Sequence, residues 1–553
     1  MGYKSLRNLA LLIAVVLLIL PGAWLVADST AVAQAIPYQT GFPVKDATST
    51  IEFASPSVID INRDGMKEVL TADGNGCVWA WDVQGRVLPG FPLKTAGSCG
   101  GTPRINGPLA IGDVNGDGML EIVAGTRGIS NLPGQRGKVF VWRANGTLLP
   151  GWPKEMDWNV QYGNDIGEVY SVALANVAGD GRLEVIAGTS NNASDGGSFD
   201  EETPNLYVWN GDGSLVSGYP TWYRRAGIWG FVGAANLTGS DLAEVVVGRD
   251  QLYVHAYDAN GQPLSNWPAQ TYLNPAETTW GEDLYIEFTR NAPAMADLDG
   301  DGVMDIVIAG KVRDPKQNHD ITNSAVLVLQ PNGQRKPGWT VPPVGGAPVS
   351  ESYSPAQAPA LADVNNDGRL EVIVTLMDGT LRVYTYSGSL MWQYNFSQGR
   401  TLFASEPVVG DINSDGRLDI VFGTYSPDGS ADNYAGILAV NGSGQLLPGF
   451  PLPLTAEGGS DKRGVRAAPT LADLDGDCDV EILVASRAYV LYAWDLPGAY
   501  SSQFMPWPTG RQNNQRTGSF GEYDTAVSYP NSISSLSALN YHTYMPILRT
   551  GCR

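Results

Sequence analysis

The sequence is poor in histidine, in cysteine and in positive charge. Its three histidines, His255, His319 and His542, are scattered over 553 residues. That argues against a zinc or acid–base centre built on imidazole. Lys and Arg number 35 against 57 Asp and Glu, a formal charge of −22. A chain this acidic is not expected to take nucleic acid as a partner. Past the N-terminus no apolar run is long enough to span a bilayer. No nucleophile–base set stands out either, so no catalytic residue is assigned.

The one long apolar run is at the start. Lys4 and Arg7 precede residues 9–26, and Ala31-Val32-Ala33 forms a small-x-small cleavage signal. The expectation is a signal peptide over residues 1–33 and a secreted or cell-surface product, with an uncleaved anchor as the alternative. No cysteine at the cleavage site suggests lipid attachment. Export permits disulfides. Of the four cysteines, Cys77 and Cys99 are the preferred pair, leaving Cys478 and Cys552.

What the chain has in quantity is one short acidic stretch. Residues 297–310 read DLDGDGVMDIVIAG. A helical calcium loop of the EF-hand kind needs a Glu at its twelfth position and flanking helices. Here the twelfth position is Ile308, and a β-branched run follows the last acid, which favours a strand. The stretch is therefore a tight turn leading straight into a strand. Its alternating carboxylates still suit a hard cation, and Gly302 permits the left-handed fold-back.

The pattern recurs. Clear copies begin at Asp60, Asp113, Asp297, Asp363, Asp411 and Asp473, and weaker ones at Asn176 and Asn236, spaced 48 to 66 residues apart. In the clear copies positions one, three, five and nine all carry oxygen. These are Asp60, Asn62, Asp64 and Glu68; Asp113, Asn115, Asp117 and Glu121; Asp297, Asp299, Asp301 and Asp305; Asp363, Asn365, Asp367 and Glu371; Asp411, Asn413, Asp415 and Asp419; Asp473, Asp475, Asp477 and Glu481. The third copy has Ala178 at a ligand position. The fourth offers Asn236, Thr238, Ser240 and Glu244, with Asp241 where glycine is usual. About six structural Ca²⁺ ions are expected, with the two weaker turns empty.

Each turn is followed by a strand such as EVIAG, then an aromatic strand such as LYVWNGDG with a hairpin ending, then a segment such as PGWP. That makes about four strands per unit and no helix, the pattern of propeller blades. On these motifs residues 41–507 resemble the FG-GAP/VCBS repeat family of secreted β-propellers, similar in design to the integrin α head. The resemblance implies an all-β, single closed propeller with calcium-binding hairpin turns between the first and second strands of its blades. Eight four-stranded blades are expected, seven being the alternative, over residues 38–520. Residues 521–553 read as a polar spacer and short tail. TGFP at 40–43 and SQFMPWP at 502–508 compete to supply the closing strand, and TGRQNNQRTGSF after it has no strand pattern.

The turn and the hairpin share one face, so the uneven connections gather on the other. Those connections hold Trp158, Tyr162, Trp222, Tyr223, Trp229, Trp280 and Tyr285, together with Tyr272, Arg463 and Arg466. Aromatics mixed with charge suit a glycan or a protein surface. The strand aromatics Trp79, Trp81, Trp142, Trp209 and Trp494 read as core between blades. The resulting expectation is a monomeric binding or adhesion module with no membrane span once the signal is removed. A polysaccharide lyase, a known use of such scaffolds, is the alternative.

Overall fold

The computed structural model describes residues 35–520 apart from 101–102, 131, 158–166, 191–201, 225–226, 250–251, 277, 289–290, 318–319, 340–343, 350–357, 427–435 and 457–463. The described residues form eight antiparallel sheets in chain order, the blades of a β-propeller. No α-helix occurs among them, only the short 3₁₀ turns Pro315–Gln317 and Ser502–Phe504.

The apolar run behind each acidic turn becomes the second strand of a blade. Glu68–Asp73, Glu121–Gly125, Glu184–Thr189 and Glu371–Thr375 are buried at every position. Burial on both faces is why these strands are nearly continuous in Val, Ile and Ala. The aromatic third strand pairs with the second; in blade 2, Ile122 faces Trp142 in register. Trp79, Trp81, Trp142, Trp209 and Trp494 are all buried, as expected. Residues two apart share a strand face, so the rings stack: Phe140 on Trp142 and Tyr207 on Trp209 at 5.0 Å, Tyr492 on Trp494 at 5.1 Å. Val139, Val141 and Trp152 of blade 2 share one apolar cluster with Val185, Tyr207 and Trp209 of blade 3. The core thus lies between blades.

Blade 8 has three strands of its own, Thr470–Ala472, Asp479–Ala485 and Leu491–Ala499. The N-terminal segment completes it. Tyr38 bridges to Trp494 and Val44 to Leu491, with the Val44 N–H donating to the Leu491 carbonyl at 3.0 Å. Of the two candidate closing segments, TGFP takes the place.

Residues 502–508 go elsewhere, and the path of the chain beyond them is the main departure from the sequence reading. Trp507 pairs with Val409 on the innermost strand of blade 7. The chain then runs past the inner strands of the blades in turn. Leu471 of blade 8 donates its N–H to the carbonyl of Pro508, Ile111 of blade 2 to that of Asn514, Leu174 of blade 3 to Gln515, Ala234 of blade 4 to Thr517 and Met295 of blade 5 to Gly518, at 2.8 to 3.0 Å. Residues 509–519 are buried. TGRQNNQRTGSF lacks a strand period because its neighbours change with every step around the axis.

Arg516 pins this segment. Its Nε donates to the Leu109 carbonyl, Nη1 to Thr509 Oγ1 and the Gly510 carbonyl, and Nη2 to the Ser55 carbonyl and Ser57 Oγ, at 2.7 to 3.3 Å. All five guanidinium donors are used. At the rim, Cys77 and Cys99 form the expected disulfide, with Cα atoms 5.6 Å apart. Cys478 is also disulfide-bonded. Its expected partner Cys552, the segment 1–33 and the tail 521–553 lie outside the described residues.

Candidate metal turns and the opposite face

Each acidic turn joins the first and second strands of its blade, as at Ile59 to Glu68 in blade 1. Position six is left-handed in all eight turns. Glycine fills it six times, and Asp241 (φ 64°) and Cys478 (φ 77°) accept the same conformation. Position four is left-handed too, as at Arg63, Asn366 and Ser414.

The side-chain oxygens first serve the turn itself. The acid at position one takes the N–H of position six: Gly65 to Asp60, Gly118 to Asp113, Gly302 to Asp297, Gly368 to Asp363 and Gly416 to Asp411. Position three takes the N–H of position five, as Asp64 to Asn62 and Asp415 to Asn413. Position nine takes the N–H of position two in every turn: Ile61, Val114, Val177, Leu237, Leu298, Val364, Ile412 and Leu474 donate to Glu68, Glu121, Glu184, Glu244, Asp305, Glu371, Asp419 and Glu481. The bond is present even in turns three and four, which lack a full ligand set. The ninth acid therefore has a structural role of its own, one that sequence reading missed.

The ninth acids sit in an electrostatically poor place. Burial pushes Glu68 and Glu121 up to about 7, and Glu371, Asp419 and Glu481 up to about 8, with the other acids of each turn adding to the shift. Asp419 Oδ1 and Glu481 Oε1 are buried with no hydrogen-bond partner. Asp297, Asp299 and Asp301 converge with ligand oxygens within 4.8 Å of one another, and so do Asp473, Asp475 and Asp477. Hard oxygens, orphaned buried carboxylates and a tight loop fit a calcium-sized cation. The residues that would hold it are those at positions one, three, five and nine of the clear turns whose carboxylates are not already ion-paired.

Turn five differs. Lys336 Nζ lies 2.9 Å from Asp299 Oδ2 and 2.8 Å from Asp305 Oδ2. Burial raises Asp305 only to about 6, because the lysine works against it. On the same face, a cavity of about 540 Å³ between blades 2 and 3 is lined by Asn115, Asp117, Arg143, Asp180, Arg182 and Glu184. It joins a complete turn to an incomplete one.

The opposite face is more varied than expected. Trp222 and Trp280 are 53% and 51% exposed. Tyr223 is half-buried, its ring 5.1 Å from the guanidinium of the fully buried Arg249 and edge-on to His255. Trp229 is half-buried beside Tyr170. Tyr285 is fully buried and Tyr272 nearly so, which corrects their placing among ligand-facing residues. Tyr285 belongs to the split first strand of blade 5 and bridges to Tyr272. Trp158, Tyr162 and Arg463 lie outside the described residues.

Arg466, expected on this face, belongs to an arginine row near the axis whose other members, Arg487 and Arg511, sequence reading missed. Arg466 Nη1 is 3.2 Å from Glu52, which also lies 3.4 Å from Arg487 Nε. Arg466 stacks on Phe53 at 4.0 Å and Arg511 on Phe231 at 3.8 Å, and the two phenylalanines meet edge to face at 5.9 Å. Arg511 is fully enclosed, which lowers its pKa to about 10, with Glu406 countering that. The Nε atoms of Arg466 and Arg511 are buried without hydrogen-bond partners.

Residues 323–422 match the family model described as the FG-GAP-like repeat. The match spans turns six and seven. This chain is a β-propeller carrying an FG-GAP-like repeat. No curated protein matches its sequence. Among solved structures the propeller is similar to Saccharomyces cerevisiae Sqt1, with 11% identity over 84% of this chain and 100% of that one, at a TM-score of 0.48. It is also similar to the rhamnogalacturonan lyase YesW, with 15% identity over 88% and 81% and a TM-score of 0.45. The V. cholerae biofilm matrix protein Bap1 matches with 13% identity over 85% and 92% and a TM-score of 0.37. These likenesses carry no argument about activity. Among the described residues no helix is long and apolar enough to cross a membrane.

Proposed function

We propose that the propeller is an exported, calcium-stabilised binding module that takes a glycan or protein surface on the face opposite its acidic turns. One observation carries the reading: two tryptophans, Trp222 and Trp280, stand half in solvent on that face, while Trp79, Trp81, Trp142, Trp209 and Trp494 are buried between blades. A large aromatic left in water on a rigid scaffold is a binding feature more than a packing one. Calcium in the clear turns would stabilise the native state alone, by mass action, and contributes no step of chemistry. A glycan array run beside an assay for unsaturated uronate product tests the reading. Binding without turnover is expected; turnover lost on changing arginine or tyrosine on this face would replace it with a lyase.

A further inference from the structure

One short segment recurs after the hairpin of six blades, and its first residue donates an N–H to the third strand. Leu88 donates to Ala80, Leu149 to Val141, Val216 to Val208, Leu264 to Ala256, Lys336 to Val328 and Leu447 to Ala439, each at 2.9 Å. The six positions are structurally equivalent. Five are apolar, and Leu149, Val216 and Leu447 are buried. Blade 5 alone places a lysine there, and it is only 6% exposed.

A buried ammonium is costly unless it is paired. Lys336 is paired by the fifth acidic turn, within hydrogen-bond distance of both Asp299 and Asp305. Among the described residues it is the one cation ion-paired with a turn acid. Positions three and nine both belong to the oxygen set that would hold a metal in the clear turns. In the other clear turns neutral groups stand near these oxygens. The amides of Asn62, Asn115 and Asn365 donate to Glu68, Glu121 and Glu371. Turn eight has acids at the same four positions as turn five, yet its Asp475 receives neutral donors, the Gln39 amide at 2.7 Å and the Asp477 backbone N–H at 3.2 Å. A second cation, Arg369 from the turn of blade 6, donates to the Asp299 carbonyl.

We propose that Lys336 is the resident cation of the fifth turn, and that this turn takes no calcium although its sequence is fully supplied with acids. The inference rests on the reading that the other complete turns bind calcium. A divalent ion entering turn five would meet an ammonium already holding one oxygen of Asp299 and one of Asp305, on a lysine only 6% exposed. The remaining oxygens, Asp299 Oδ1 and Asp305 Oδ1, have no hydrogen-bond partner. Replacing the lysine would therefore leave a complete, empty ligand set.

The test is calcium counted per chain by metal analysis after equilibrium dialysis of the full-length protein. Lys336→Leu, which installs the residue of the other blades, should gain one calcium over wild type. Lys336→Met serves if the leucine variant does not fold. Asp305→Asn in the otherwise unchanged protein should leave the count as it was. An unchanged count in the lysine variants, or the loss of one ion in Asp305→Asn, overturns the proposal and makes Lys336 an outer partner of a calcium-filled turn. No calcium in any form, wild type included, overturns the calcium reading itself and this inference with it.

Discussion

Arg516 Nη2 donates to Ser57 Oγ at 2.7 Å, joining positions 459 residues apart in the chain. Through this bond and the one to the Ser55 carbonyl the C-terminal end of the described chain is tied to the first blade from inside the ring. The N-terminal segment ties the last blade from outside, through Tyr38 and Val44. The ring is thus closed twice, once at its periphery and once at its axis.

Replacing Arg516 by Met should unfold the propeller more easily. The change removes the guanidinium from three buried carbonyls and the Ser57 hydroxyl, each costing about 1–3 kcal/mol if left unpaired, while Thr509 keeps its contacts to Thr470 and Pro56. A drop of several degrees in Tm by calorimetry is expected. An unchanged Tm would mean that water replaces the guanidinium without loss, and that the axial segment is not a structural pin.

Cutting the chain after Trp507 should have a larger effect. It removes the acceptors of Leu471, Ile111, Leu174, Ala234 and Met295, which lie on the inner strands of five blades. Limited proteolysis should then digest the truncated protein under conditions that leave the full chain intact. Equal resistance would contradict the account of the axis.

Most of the blade was legible in the sequence, for a simple reason. A turn such as DVNNDGRLE followed by EVIVT carries both its conformation and its burial locally, through positive φ at Gly368 and β-branched residues behind it. What was not legible depended on distant partners. TGRQNNQRTGSF has no period because each residue meets a different blade. Tyr285 and Trp280 sit five residues apart in one loop-like stretch, yet one is fully buried and the other half-exposed. Nothing local in QRKPGW marks Lys336 as buried; its burial follows from its equivalence to apolar residues such as Leu149 and Leu447 in other blades.

Chelation should make stability pH-dependent, with a definite sign. Without metal the ninth acids have folded pKa values raised to about 7 or 8, above the ordinary 4.5 of Glu and 3.8 of Asp. A raised acid holds its proton more tightly in the folded state, so its contribution is full below the unfolded pKa and is lost as pH rises through the folded one. In EDTA, Tm should fall between about pH 4.5 and about pH 8. With calcium present the fall should be reduced, because the ion replaces the proton as counter-charge. A Tm in EDTA that rises over this range would contradict the placement of these carboxyls.

Reducing the Cys77–Cys99 bridge should cost about 3 kcal/mol, the value for a loop of roughly this length. Cys77→Ser with Cys99→Ser should lower Tm without altering ligand binding, since both residues belong to blade 1 rather than to the exposed tryptophans. Loss of binding at full stability would place that rim in the binding surface.

The most direct measurement for the central claim is binding and melting of the Trp222→Ala, Trp280→Ala double variant beside wild type, using whichever array glycan or protein probe the wild type retains. Both side chains are half in water, so their removal should leave Tm within a degree or two. Binding should weaken by at least 10-fold, about 1.4 kcal/mol. Retained binding with a collapsed Tm would show that these tryptophans hold loops together, and would contradict the assignment of this face.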